Sequence, residues 1–213
     1  KPIEPGDVCW EDINGDNKIN GLDREVVGNI FPKVTGGFSS TLSWKGISLY
    51  ARFDYALGHT LYNDLAARTL GQYQGAFNII TEVKDMWSED NPNSDLPAFY
   101  YADQLAKKNI TRSNNASASR HNNSSRLYEK ADYLALRELT LSWDLPKAWT
   151  SKAFIQNASV YVTGQNLFYV TGYTGTSPEP VLTNSDNNEN LYGVDQGRYP
   201  TPRTVLFGLS VTF

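Results

Sequence analysis

The stretch Thr35-Gly-Gly-Phe38-Ser-Ser-Thr-Leu42-Ser-Trp44-Lys45-Gly46-Ile47-Ser-Leu49-Tyr-Ala-Arg52-Phe-Asp54-Tyr-Ala-Leu57-Gly58 decides the fold. Before Lys45, the residues Phe38, Ser40, Leu42 and Trp44 alternate with Ser39, Thr41 and Ser43. After Gly46, Ile47, Leu49, Ala51, Phe53, Tyr55 and Leu57 alternate with Ser48, Tyr50, Arg52, Asp54, Ala56 and Gly58. A period of two is the pattern of a strand whose two faces meet different surroundings, and two such runs flanking a two-residue turn read as a hairpin. Further runs cover about 126–145 and 155–173, and the chain ends with Val205, Phe207, Leu209, Val211 and Phe213 alternating with Leu206, Gly208, Ser210 and Thr212.

Connections between these runs are short at Lys45-Gly46, very long over 59–125, short over about 146–154 and long again over 174–202. An antiparallel up-and-down sheet with tight turns at one end and long loops at the other sorts its connections in this way, as transmembrane β-barrels do. Length agrees: about twelve residues at ~3.3 Å each, tilted by ~40°, rise about 30 Å and cross an apolar band about 25 Å tall. Arg52 and Asp54 lie mid-strand opposite Ile47, Leu49 and Phe53. An Arg facing lipid at the midplane costs about 2–4 kcal/mol, so Tyr50, Arg52 and Asp54 are expected to face a polar lumen and are the candidates there for substrate contact. Trp44, Trp143 and Phe213 fall beside the short turns, with Tyr55, Tyr133 and Tyr173 near the long loops. That placement reads as two interfacial girdles of aromatic residues.

Composition fits an alternating sheet and excludes several classes. At 213 residues the chain is 40% hydrophobic and 13% aromatic, yet has no run of the ~20 apolar residues that a membrane helix needs. A net charge of −4 argues against a nucleic-acid surface, which requires a basic face. Cys9 is the single cysteine, which excludes an internal disulfide and a cysteine-rich metal site. His59 and His121 stand alone, without the neighbours of a zinc set or a catalytic triad, and read as loop residues. The acidic residues Glu82, Asp85, Glu89, Asp90 and Asp95 read as a solvated loop face, and no catalytic residues are expected.

One acidic segment carries more. Asp12-Ile-Asn14-Gly-Asp16-Asn17-Lys18-Ile-Asn20-Gly-Leu-Asp23 sets oxygen side chains at loop positions 1, 3, 5, 9 and 12, with the Lys18 backbone carbonyl at position 7. This is the ligand spacing of an EF-hand-type Ca²⁺ loop, in which a hard cation collects six to eight oxygens. Asn17 stands where such loops have Gly, and Asp23 where they have a bidentate Glu; the pattern resembles a dockerin-type loop. Asn109, Asn115 and Asn157 open glycosylation-like triplets, and 113–125 reads as an Asn/Ser-rich loop tip. Leu61–Thr69 and Phe77–Trp87 have helical spacing.

Several strings together resemble the SusC/RagA family of TonB-dependent outer-membrane transporters. They are Gly6-Asp-Val-Cys-Trp-Glu-Asp-Ile-Asn-Gly-Asp16, Pro32-Lys-Val-Thr-Gly-Gly-Phe38 with Trp44-Lys-Gly46, Tyr133-Leu-Ala-Leu-Arg-Glu-Leu-Thr-Leu141 with Leu145-Pro146, Val160-Tyr-Val-Thr-Gly-Gln-Asn-Leu-Phe168, Gly193-Val-Asp-Gln-Gly-Arg-Tyr-Pro-Thr-Pro-Arg-Thr204 and the terminal Phe213. The resemblance implies an all-β fold, the C-terminal strands of a 22-stranded transmembrane antiparallel barrel in the outer membrane of a Gram-negative bacterium. It also implies a plug and a TonB-contacting segment ahead of this chain, a SusD-like lipoprotein partner, and import of oligosaccharides or peptides. Five strands are too few to close a membrane barrel, which agrees with a piece of a longer protein. The layout then reads as an extracellular loop over 1–34 holding the Ca²⁺ loop at 12–23, a hairpin over 35–58, an extracellular loop over 59–125, two strands over 126–173, a loop over 174–202 and a last strand over 203–213. The competing readings are a secreted Ca²⁺-binding, carbohydrate-binding β-sandwich and a dockerin-like adaptor, though the second lacks the duplicated loop of a dockerin.

Overall fold

The computed structural model describes residues 5–70, 78–98, 125–180 and 192–213. His121, Asn109, Asn115 and most of the 113–125 tip lie outside the described residues. Among the described residues, strands β1 (Val34–Trp44), β2 (Ile47–Leu57), β3 (Thr60–Asn63), β4 (Tyr128–Lys130), β5 (Tyr133–Asp144), β6 (Asn157–Thr171), β7 (Val194–Asp195) and β8 (Thr204–Thr212) are accompanied by the short α-helices α1 (Asp64–Thr69) and α2 (Lys147–Thr150). The chain divides into two compact units, one drawn from Lys1–Ile30, Thr60–Glu129 and Val181–Arg198, the other from Phe31–His59, Lys130–Pro180 and Tyr199–Phe213.

The second unit is a five-stranded sheet in the order β1-β2-β5-β6-β8, every neighbouring pair antiparallel. Sequence neighbours within the sheet are neighbours in space, which makes it an up-and-down meander. Lys45 (φ 48°) and Gly46 (φ 85°) both take positive φ, the primed turn whose twist matches that of the strands it joins. The register sets Trp44 against Ile47, Ile47 against Trp143, Trp143 against Val160 and Val160 against Leu209. Both short connections therefore leave the same end of the sheet, and both long ones the other.

Alternation gives the sheet two unlike faces. Phe38, Leu42, Leu49, Phe53, Leu136, Leu141, Phe168, Phe207 and Leu209 share one face through this register. Many stay open: Leu42 is 67% exposed and Phe207 82%. Exposed apolar surface gathered on one face in this way marks a face that another surface covers. The opposite face is polar, with Ser43 and Ser48 hydroxyls 2.8 Å apart and Thr140 and Thr163 hydroxyls 2.7 Å apart across neighbouring strands. At β8, Gly208 lies under the Tyr161 ring on that face, where any Cβ would collide.

Alternation is broken at one place. Arg52 pairs with Glu138 but Phe53 pairs with Leu136, so Arg137 is an extra residue in β5, and β6 adds Asn166 and Leu167 between the partners of Leu136 and Glu138. This bulge shifts the phase of β5 by one. It corrects the reading of the upper girdle: Tyr133, only 8% exposed, turns to the polar face and packs with Ala56, Ala135 and Tyr169. Tyr173 is buried as well, which leaves Tyr55 on the apolar face at that end. At the opposite end Trp44 is 68% exposed on the apolar face, and Trp143 meets Trp149 edge-on at 5.8 Å.

The first unit contains a small sheet, β4-β3-β7, and a cluster of Tyr62, Ala67, Leu127 and Val194. Three expectations change here. The run read from Arg126 is broken: Ser125–Leu127 form a 3₁₀ turn, Tyr128–Lys130 join the small sheet, and the large sheet resumes only at Tyr133. Leu61 to Asn63 are strand and not helix, since Tyr62 N–H bonds the Gly193 carbonyl at 2.8 Å; α1 begins at Asp64. In the second helical stretch, of which Phe77 lies outside the described residues, only Thr81–Asp85 is helical among the described ones, as a 3₁₀ turn. Among the described residues no helix is long and apolar enough to cross a membrane, which says nothing about crossing by strands.

Candidate functional site on the polar face

Arg137 is the centre of the polar face at the long-loop end. The bulge lets Arg137 and Glu138, adjacent in sequence, both point to that face. Glu138 meets Arg52 at 3.8 Å, a loose pair with Arg52 55% exposed. Arg137 is held more closely. Its Nε donates to Asp54 Oδ1 and its Nη2 to Asp54 Oδ2 at 3.0 Å, the bidentate fork that a planar guanidinium offers a carboxylate. Nη2 also donates to Glu179 Oε1 at 2.6 Å, and Nη1 to the Tyr169 hydroxyl at 2.8 Å. The Tyr169 hydroxyl donates in turn to Glu179 Oε1 at 2.8 Å. The guanidinium carbon lies 5.3 Å from the Tyr169 ring centre and 6.0 Å from that of Tyr133, within cation–π range.

Glu179 belongs to the segment after β6, which folds back against this face. A second anchor lies one residue away: His59 Nε2 and the Pro178 carbonyl are 2.8 Å apart, with the ring of His59, fully buried, set edge-on to Tyr133 at 6.3 Å. His59 is thus a loop residue, as its sequence context suggests, and a fully packed one. Of the three lumen candidates, Tyr50, Arg52 and Asp54 share the polar face, Arg52 and Asp54 meet partners there, and only Asp54 enters the Arg137 cluster. Arg137, Glu179, Tyr133, Tyr169 and His59 were not candidates. The signal for Arg137 was present, because two consecutive charged residues inside an alternating strand require a bulge if neither is to face lipid. Glu179 gave no signal, since 42 residues separate it from Arg137.

The acidic loop of the first unit folds around its own carboxylates. Asp12 Oδ1 accepts from the Gly15 N–H at 2.8 Å and Oδ2 from the Asn17 N–H at 2.6 Å. Asn14, Asp16 and Asn20 each accept from the N–H two residues on, at 2.8–2.9 Å. Asp23 closes the loop, accepting from Asn20 N–H at 2.7 Å and from Ile13 N–H at 3.1 Å. Those bonds, the one from Asn20 foremost, hold the Asp23 carboxyl below its usual range. Asn17 takes φ 62°, the left-handed conformation that position 6 of a cation loop requires. The donors are all oxygen, three of them carboxylates, and suit a hard cation. Among the described residues, no three His, Cys, Asp or Glu side chains already converge as a metal cluster.

No family model matches the sequence. The chain is 30% identical over 213 residues to TonB-dependent receptor P3 of Formosa agariphila, taking in 99% of this chain and 19% of that receptor. TonB-dependent receptor P26 of the same organism is also 30% identical, over 100% of this chain and 20% of its own length. Among solved structures, the RagAB peptide importer in its open-open state superposes with a TM-score of 0.65 at 26% identity, covering 97% of this chain and 20% of the RagAB chain. A second structure, the RagAB peptide transporter, gives 0.63 at 28% identity over 86% of this chain and 17% of its own. The chain spans about a fifth of the length of these relatives. It is a homologue of the TonB-dependent receptors that matches RagA, of the SusC/RagA family, over a partial region.

Proposed function

We propose that this chain supplies the last strands of an outer-membrane, TonB-dependent importer of the SusC type. In this reading the five-stranded sheet is an arc of a 22-stranded barrel, the apolar face meets lipid, and the polar face lines the lumen. The observation that carries it is the pairing of an open apolar face with a polar face whose charges are partnered, the arrangement required of a wall between lipid and water. Substrate, an oligosaccharide or a peptide, is captured between a SusD-like surface lipoprotein and the long loops, and passes when a plug ahead of this chain is moved through TonB. The solved RagAB structures, a peptide importer in their own description, support the peptide side of that choice and the two-component assembly. No covalent bond of the substrate is made or broken, so the residues named here bind, orient and exclude.

We also propose Ca²⁺ as a structural ligand of the loop from Asp12 to Asp23, held by Asp12, Asn14, Asp16, the Lys18 carbonyl, Asn20 and Asp23. The cation would neutralise the three carboxylates and fix a loop of the extracellular side. The sandwich reading needs a second sheet over the apolar face, and Leu42 and Phe207 have no such cover among the described residues. Fractionation of the full-length product tests the importer reading: it is expected in the outer membrane and to need detergent for release. Recovery in the soluble fraction without detergent would sink it.

A further inference from the structure

We propose that Arg137 and Tyr169 form a seat for a carboxylate of the transported ligand, and that Glu179 of the protein's own loop fills this seat at rest. The inference deepens the importer reading and rests on it, because the seat meets a ligand only if the polar face lines the path.

Three observations converge. Asp54 and Glu179 bind the same guanidinium in different ways. Asp54 is fixed on β2 and takes the fork of Nε and Nη2, which already neutralises Arg137. Glu179 comes from a non-strand segment and presents Oε1 to Nη2 and to the Tyr169 hydroxyl. Glu179 adds a second carboxylate to the one that Asp54 already sets on Arg137, and its position marks where the Nη2 N–H and the Tyr169 hydroxyl together hold an anion. Exchange of Glu179 for a ligand carboxylate conserves the charge at that point and keeps both hydrogen bonds. The surroundings also suit a ligand, since the half-buried Tyr169 ring offers flat apolar surface beside the guanidinium, with the half-buried Thr140 on the same face toward the short turns. Release of Glu179 would remove one of the two tethers of this segment and leave the His59–Pro178 contact, loosening the loop on ligand arrival.

Two kinds of ligand carry the required carboxylate, the C-terminus of a peptide and an acidic sugar, and the test separates them. The full-length receptor, with Cys9→Ser and Thr174→Cys, is spin-labelled on the exposed Thr174 position and titrated with four probes. These are trialanine as free acid, trialanine amide, digalacturonate and neutral digalactose. Mobilisation of the label by either acid probe and by neither neutral one, half-maximal on the order of millimolar as suits one charge-assisted contact, supports the seat and names the source. In Glu179→Gln the resting competitor is weakened, and the same probe should act at about tenfold lower concentration. In Arg137→Met the response should vanish. Equal action by acid and neutral probes, no response to either acid, or a response that survives Arg137→Met overturns the seat. If Arg137→Met does not assemble, an unshifted Glu179→Gln titration overturns it alone. Failure of the importer reading shows separately, as a protein that does not fractionate with the outer membrane whatever its label does.

Discussion

Replacing Arg137 by Met removes the cation from the polar face while keeping much of the side chain's volume between the Tyr133 and Tyr169 rings. Asp54 and Glu179 then lose the cation they share. A buried charge-assisted hydrogen bond contributes about 1.5–3 kcal/mol, and loss of one partner also strands the other. Here Asp54 and Glu179 are 33% and 29% exposed, so water recovers part of each contact. Scaled for that exposure, about 1 kcal/mol for each carboxylate remains, about 2 kcal/mol in all. Denaturant unfolding of the full-length receptor in lipid vesicles measures it, comparing wild type with a single and a triple variant. Arg137→Met alone is expected to lose about 2 kcal/mol; adding Asp54→Asn and Glu179→Gln should restore about half, since the stranded charges are gone. A single variant within about 0.5 kcal/mol of wild type, or a triple variant no better than the single, would refute the view that Arg137 holds this face together.

Calorimetric titration of Ca²⁺ into chelator-stripped protein should give heat that Asp12→Ala and Asp16→Ala abolish, and wild-type behaviour of both variants would leave only a polar turn. Asp23 adds a pH dependence of known sign: its pKa is depressed in the folded loop, so its contribution is fully present above the unfolded value of ~3.9 and is lost as pH falls through the folded one. Loop protection from proteolysis should therefore hold at neutral pH and decline only in strong acid. Leu139→Arg, on the apolar face near the middle of β5, is expected to cost about 2–4 kcal/mol in a bilayer, whereas Thr140→Arg one residue on, facing the polar side, should cost less than 1; equal costs would contradict the assignment of faces. Gly208→Val puts a branched side chain under the Tyr161 ring and should destabilise the β6–β8 pair by about 1–3 kcal/mol, a loss that Tyr161→Ser in the same chain relieves.

Hairpin, strand runs and the sorting of loops by length were legible because each is a local property. Phe38 to Leu57 alternates under its own side-chain chemistry, and Lys45-Gly46 is short enough that only a primed turn closes it. The spacing of Asp12 to Asp23 was legible for the same reason, and Asn17 adopts the left-handed backbone which that spacing asks of it. The polar-face assignment of Arg52 and Asp54 followed from alternation alone. The same rule failed for Tyr133, because alternation carries a phase only until something resets it, and the extra residue at Arg137 does so in the middle of β5. Tyr128–Lys130 went astray for a related reason: three alternating residues cannot say which sheet they will join.

The sequence by itself determined that this chain makes long antiparallel strands with one apolar and one polar face, since a period of two depends only on each residue and its neighbours. The tertiary structure alone decided which charges meet. Arg137 binds Asp54 from 83 residues away and Glu179 from 42, distances over which no local pattern constrains pairing. Strand register, one bulge and the return of a loop to the wall bring those three groups to one point.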